Sequence, residues 1–187
     1  RMLCEEYAIV YVASPLLLST AASDISSPVK IVSYRDDDQA AYLERAAIRE
    51  SGVSFTIAEK GDGGPVHISS RISYNASSSG FADGTGKGLE SLADGAGMVY
   101  LSAGDLRGAS VTDLVLASQY VSAGDIIVNN AAVRSLNTAE FIGRFYSGIA
   151  GGSGSRGSCR DALDRLRDGK FRHPSNWMGI RLYVRSL

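Results

Sequence analysis

The feature that most limits what this chain can fold into is the alternation of strand-like and helix-like patterns from one end to the other. Tyr7–Ala13 (YAIVYVA) is an unbroken β-branched, aromatic and small apolar run, the composition of a buried strand. Ser14-Pro15 supplies a cap residue with proline at the first helical position, and Leu16–Ala22 fits a short helix. Val29–Tyr34 reads as a second strand. Asp36–Asp38 place negative charge at the start of the next helix, which carries Ala40, Leu43, Ala47 and Ile48 on one side and stops near Gly52. Val53–Ile57 is a third strand. This rhythm predicts an α/β fold, a mostly parallel central sheet with helices on both faces.

The second half continues the pattern. Glu59–Pro65 is a Gly-rich loop, Val66–Ser70 a short strand, and Ser73–Gly88 a polar stretch expected to be irregular. Gly97–Ser102 is another buried strand, Val111–Ala123 is helical, and Ile126–Asn130 is a strand ending in two amides. Asn137 and Glu140 have the spacing of a capping box at the head of a helix that runs past Tyr146 and Ile149. Ala150–Ser158 (AGGSGSRGS) has linker composition and is expected to be mobile. Cys159–Arg167 is an amphipathic helix with Ala162, Leu163 and Leu166 inward, and Ile180–Val184 a final strand. Nothing in the pattern requires a second domain, so residues 1–187 read as one.

Charge narrows the partners. Nineteen Lys and Arg stand against 20 Asp and Glu, a formal net charge of −1, which gives neither nucleic acid nor an anionic membrane an electrostatic hold. No apolar run approaches the roughly 18 residues that span a bilayer. Glu5 and Glu6 are the wrong flank for a signal peptide. Cys4 and Cys159 lie far apart without neighbouring ligands, so neither a disulfide framework nor a metal site is expected, and a cytoplasmic location follows as the default. Gly84–Gly88 (GTGKG) lacks the spacing of a phosphate loop, and no cofactor is expected. The start at Arg1 reads as a domain cut from a longer chain.

Four segments together resemble the CHAT family, bacterial relatives of caspases. Gly97–Gly108 (GMVYLSAGDLRG) is similar to the family's nucleophile strand, an apolar run ending Leu-Ser-Ala-Cys, with Gly104 at the cysteine position. Ala123-Gly124 with Ile126–Val128 resembles the helix and strand that follow. Val133–Tyr146 (VRSLNTAEFIGRFY) is similar to a Val-x-x-x-x-Thr-Ala-x-Phe segment, and Arg172–Trp177 (RHPSNW) to a terminal His-Pro-x-x-Trp. Val66–Ile72 falls where the family has His-x-x-x-His-Gly. His67 matches the first, non-catalytic histidine, Arg71 stands at the catalytic histidine, and Ile72 at the glycine after it. The resemblance implies a caspase-like sheet lacking the family's first strands.

It also implies lost chemistry. A caspase-like peptidase needs a thiolate, a histidine and backbone donors for the oxyanion. Gly104 carries no nucleophile, and Arg71 stays protonated at neutral pH. The expected cleft gathers Arg71, Ile72, Ser73, Gly104, Asp105, Asn129 and Asn130 beyond the strand ends, with open space at Gly104. There Arg71 either binds an anion or pairs with Asp105 and seals the cleft. His67 and His173 read as packing or turn residues, Trp177 as a core or edge anchor, and Cys159 as a partly exposed thiol. The leading expectation is a catalytically inactive module that binds a protein or peptide. The alternatives are an enzyme of another class reusing the cleft on a small molecule, and a cysteine peptidase whose thiol, Cys159 or Cys4, stands beside His67.

Overall fold

A computed structural model describes residues 27–122, 124–130 and 136–183. The strand and helix expected at Tyr7–Ala13 and Leu16–Ala22 lie outside them. The strands are β1 (Val29–Val32), β2 (Phe55–Ile57), β3 (Pro65–Asn75), β4 (Gly80–Ala82), β5 (Met98–Ala103), β6 (Asp125–Asn129) and β7 (Ile180–Tyr183). The helices are α1 (Gln39–Glu50), α2 (Leu89–Ala93), α3 (Val111–Val121), α4 (Leu136–Ala150) and α5 (Ser155–Asp168). The sheet runs β2-β1-β3-β5-β6-β7, with β4 paired to β3 off this path. The β3–β4 and β6–β7 pairings are antiparallel and the rest parallel. The fold is α/β, with helices around a mostly parallel sheet.

Side-chain alternation along the strands splits the core in two. Val29, Ile31, Met98, Tyr100 and Ile127 point to one face, where Ile48 of α1, Phe141 and Phe145 of α4 and Leu166 of α5 cover them. Val32, Ile68, Val99, Leu101 and Ile126 point to the other, under Leu92 of α2 and Leu114 of α3. Strands β5 and β6 are buried along their whole lengths, as continuous apolar runs require.

Three expectations are corrected. The stretch Ser73–Gly88 is not irregular throughout. Strand β3 continues to Asn75 and turns back as β4, with Tyr74 opposite Phe81 and their rings edge-on at 5.6 Å. Nor is Ala150–Ser158 a linker along its length. Helix α5 begins at Ser155, the Ser155 hydroxyl donates to buried Asp125, and Ser158 is fully buried. A Cβ at Gly148 would stand 2.6 Å from the Ser158 Oγ, so these small residues let α4 and α5 pack closely. The capping box at Asn137 does not form, because the helix already includes Leu136. Asn137 is buried and its amide donates to the Asn176 carbonyl at 2.7 Å. A capping box does occur on α3, where Ser110 and Asp113 exchange hydrogen bonds.

Candidate functional site

The chain passes from β1 outward to β2, then returns across β1 to β3. Ligands of such sheets sit at this reversal, beyond the carboxyl ends of the strands. A groove of about 820 Å³ lies there. Ser33–Arg35 after β1, Ile57–Glu59 at the end of β2, and Ser70, Arg71 and Ser73 of β3 line it. Asp37 and Asp38 before α1 and the loop Asp83–Lys87 complete its lining. A second cavity of about 400 Å³, reaching Arg107, shares Ser73, Asp83, Gly84 and Thr85 with it.

The loop after β4 is organised by one carboxylate. Asp83 Oδ1 accepts from the Thr85 amide (2.9 Å), the Thr85 hydroxyl (2.7 Å) and the Lys87 amide (2.9 Å), and Oδ2 accepts from the Ser33 hydroxyl. Burial works to raise the Asp83 carboxyl pKa, but these hydrogen bonds together hold it below its ordinary value. The Gly-Thr-Gly-Lys-Gly segment thus presents its donors to an internal aspartate. Ser33 itself is left-handed, with φ of 53°, a conformation rarely adopted without glycine.

Arg71 and Gly104 lie close together. Arg71 is opposite Ser102 and Ile72 opposite Ala103 in the parallel β3–β5 pairing, with a register shift between His67 and Arg71. Arg71 Nε donates to the Ala103 carbonyl at 3.0 Å. The expected space at Gly104 is not there. A Cβ added to Gly104 would stand 2.3 Å from the Ser73 Oγ, 3.2 Å from the Ile72 carbonyl oxygen and 3.3 Å from the Arg71 Cβ. The Ser73 hydroxyl fills the position and accepts from the Asp105 amide at 3.1 Å. Asp105 pairs with Arg107 at 3.4 Å on the surface.

The other expected cleft residues are distributed differently. Ile72 is fully buried in the core. Asn129 is fully buried too, its amide donating to Thr138 at 3.2 Å. Asn130 is exposed, with its amide on the Gly179 carbonyl at 2.8 Å. Arg71 and Ser73 therefore line the groove, Gly104 and Asp105 abut it through Ser73, Ile72 lies in the core beside them, and Asn129 and Asn130 on the β6 side are not part of it. The Asp83 clasp on Ser33 was missed. Its signal was an aspartate followed by Gly-Thr-Gly-Lys, a turn pattern, but the partner is 50 residues away.

Buried His67 faces Glu44 through Nε2 (3.2 Å) and Tyr146 through Nδ1 (3.3 Å), and stacks on Tyr100 with ring centroids 4.6 Å apart. Cys159 is buried rather than partly exposed, and burial, with Asp125 nearby, pushes its thiol up to about 12, the opposite of an activated nucleophile. Cys4 lies outside the described residues. His173 caps the turn Pro174–Asn176 by accepting from the Ser175 amide, and Trp177 packs against the α4–α5 side of the core. Among the described residues no group of three His, Cys, Asp or Glu could hold a metal, and no helix is long and apolar enough to cross a membrane.

The steric conflict predicts coupling between Gly104 and Ser73. Gly104→Ala is expected to lower stability by about 1–3 kcal/mol, because Ser73 must rotate away from the Asp105 amide. In a Ser73→Ala background the same change is expected to be at least about 0.5 kcal/mol milder. Urea unfolding of the two single variants and the double variant measures the difference.

No protein-family model matches the chain, and no curated protein matches it.

Proposed function

We propose that this is a catalytically inactive, caspase-like domain resembling the CHAT family, whose groove binds an extended peptide or protein segment. The observation that carries this reading is the contact between the two altered positions. Arg71 and Gly104, 33 residues apart in sequence, come together where β3 runs beside the end of β5, next to a groove that Arg71 lines. Residues standing in for a histidine and a cysteine of one dyad have to meet in this way. Between them the Ser73 hydroxyl occupies the place a thiol would need, and a guanidinium cannot act as general base there.

The lining of the groove is chemically mixed. It mixes apolar surface from Tyr34, Ile57 and Ala58 with charge from Arg35, Glu59 and Lys87, and Ile57 is 54 % exposed. A polypeptide, with polar main chain and varied side chains, matches that mixture better than a small apolar ligand does.

The test pairs a binding measurement with a cleavage measurement. The full chain is applied to an array of capped peptides, alongside an Ile57→Glu variant. Peptides retained by the wild type and lost by the variant, with no hydrolysis of fluorogenic peptide substrates, are the expected result. Cleavage of any substrate overturns the inactive assignment, and an array pattern indifferent to Ile57→Glu overturns the groove as the binding surface.

A further inference from the structure

We propose that Asp83–Gly88 is a strap that closes the groove and swings away to admit its ligand. The inference rests on reading the groove as a binding site, and adds how access to it is controlled.

The strap is built to move as a unit. Ala82 and Gly88 pair across its base, the Asp83 amide donates to the Lys87 carbonyl at 2.9 Å, and the Gly86 amide donates to the Asp83 carbonyl at 3.0 Å. The Asp83 carboxylate gathers Thr85 and Lys87 around itself, so the loop keeps its shape without help from the groove. Gly84 and Gly86 have nothing within 4 Å of where a side chain would begin, so their outer surface meets open space.

Two clasps tie this unit across the groove. The Ser33 hydroxyl at the end of β1 donates to Asp83, and the Lys87 ammonium donates to the Glu59 carbonyl beyond β2 at 3.3 Å. The Lys87 contact is exposed, while the Ser33 contact is part-buried on the loop's own buried aspartate. Breaking either exchanges it for water, a small net change compared with unfolding any core element. Ser33 holds its end of the first clasp from a left-handed backbone, so part of that contact offsets local strain. The strap also separates the two cavities, since Asp83, Gly84 and Thr85 line both. Swinging it out joins them into one channel, which suits an extended ligand.

Labelling a thiol on the groove floor reads the opening directly and needs no ligand. Ser70 lines the groove, and its hydroxyl is buried without a hydrogen-bond partner. In the full chain carrying Cys4→Ser and Ser70→Cys, the introduced thiol is titrated with 5,5′-dithiobis(2-nitrobenzoic acid). Cutting the clasps with Ser33→Ala and Lys87→Met together is expected to raise the labelling rate about tenfold, the effect of losing roughly one to two net hydrogen bonds. Lys87→Met alone, at an exposed position, is expected to give part of that increase.

Cys159, buried in the α4–α5 half of the core, is the internal control. Equal rates with and without the clasps overturn the strap. So does labelling of Cys159 in step with the floor thiol, because the opening is then global. Neither result touches peptide retention on the array. Conversely, a strap that opens as expected while no peptide is retained leaves the device intact and removes the peptide reading.

Discussion

Gly124→Ala is expected to be the most damaging conservative substitution considered for this chain, lowering stability by about 4 kcal/mol or more, in the range reserved for a specific structural fault. Gly124 leads into β6 and Gly97 into the neighbouring β5, whose first paired residues are Met98 and Asp125. A Cβ on Gly124 would lie 1.5 Å from the Gly97 carbonyl oxygen and 2.3 Å from its carbon. Those atoms are main chain and cannot rotate out of the way. Relief requires the two central strands to separate at their starts, and the Gly97 amide is itself held by the Gly64 carbonyl at 2.7 Å, before β3. At about 2–4 °C per kcal/mol for a domain of this size, the melting temperature falls by roughly 8–16 °C or the protein fails to fold. Gly97→Ala is the control, because its Cβ would meet Gly64 at 3.6 Å, an ordinary contact. Calorimetry of the two variants is expected to separate them clearly, and similar melting temperatures would show that the strand starts yield more easily than the close approach implies.

That approach illustrates what was legible in the sequence. Strands β5 and β6 announce themselves because each is a short, mostly apolar run buried along its length, β1 because Val29, Ile31 and Val32 are β-branched and buried, and α1 because its Asp38 cap and apolar spacing agree. Glycine and serine were harder to read. Around Ala150–Ser158 they suggest a flexible connection by composition, yet Gly148 and Ser158 are small because two helices meet there. In Ser73–Gly88 they hide a hairpin whose apolar signal is reduced to Ile72, Tyr74 and Phe81. Composition cannot tell small residues chosen for freedom from small residues chosen for close approach, since the difference lies in a partner distant in sequence.

The candidate site was legible to the same degree. That the end of β3 lies beside the end of β5 could be anticipated from two recognisable apolar strands, and it brings Arg71, opposite Ser102, near Gly104. The Ser73 hydroxyl in the space beside Gly104 could not, because it depends on the irregular register between His67 and Arg71. Asn129 has the right strand end for a cleft residue, but its amide turns inward to Thr138 and Tyr100. Strand-end position therefore named the neighbourhood, while side-chain direction decided membership.

Glu44→Ala is expected to cost about 3–5 kcal/mol, the usual result of removing one partner from a buried polar pair. Glu44, His67 and Tyr146 are all shielded from solvent, on α1, β3 and α4 respectively. The Tyr146 phenol keeps its proton, because burial, reinforced by Tyr100 and Glu44, pushes its pKa well above the ordinary value. It therefore meets His67 as a neutral hydroxyl, and Glu44 is the partner that matches the imidazole in charge or in proton sharing. Removing the carboxylate leaves buried Nε2 without its partner. The pair need not be stabilising relative to an apolar core of the same shape. A Glu44→Leu, His67→Leu double variant is accordingly expected to recover most of the loss, and guanidinium unfolding of both variants measures it. Recovery would mark the pair as a device that fixes how α1 docks on β3, rather than a source of stability. A double variant as unstable as Glu44→Ala would instead show that the stack of His67 on Tyr100 carries the packing, since that contact is lost only when the imidazole goes.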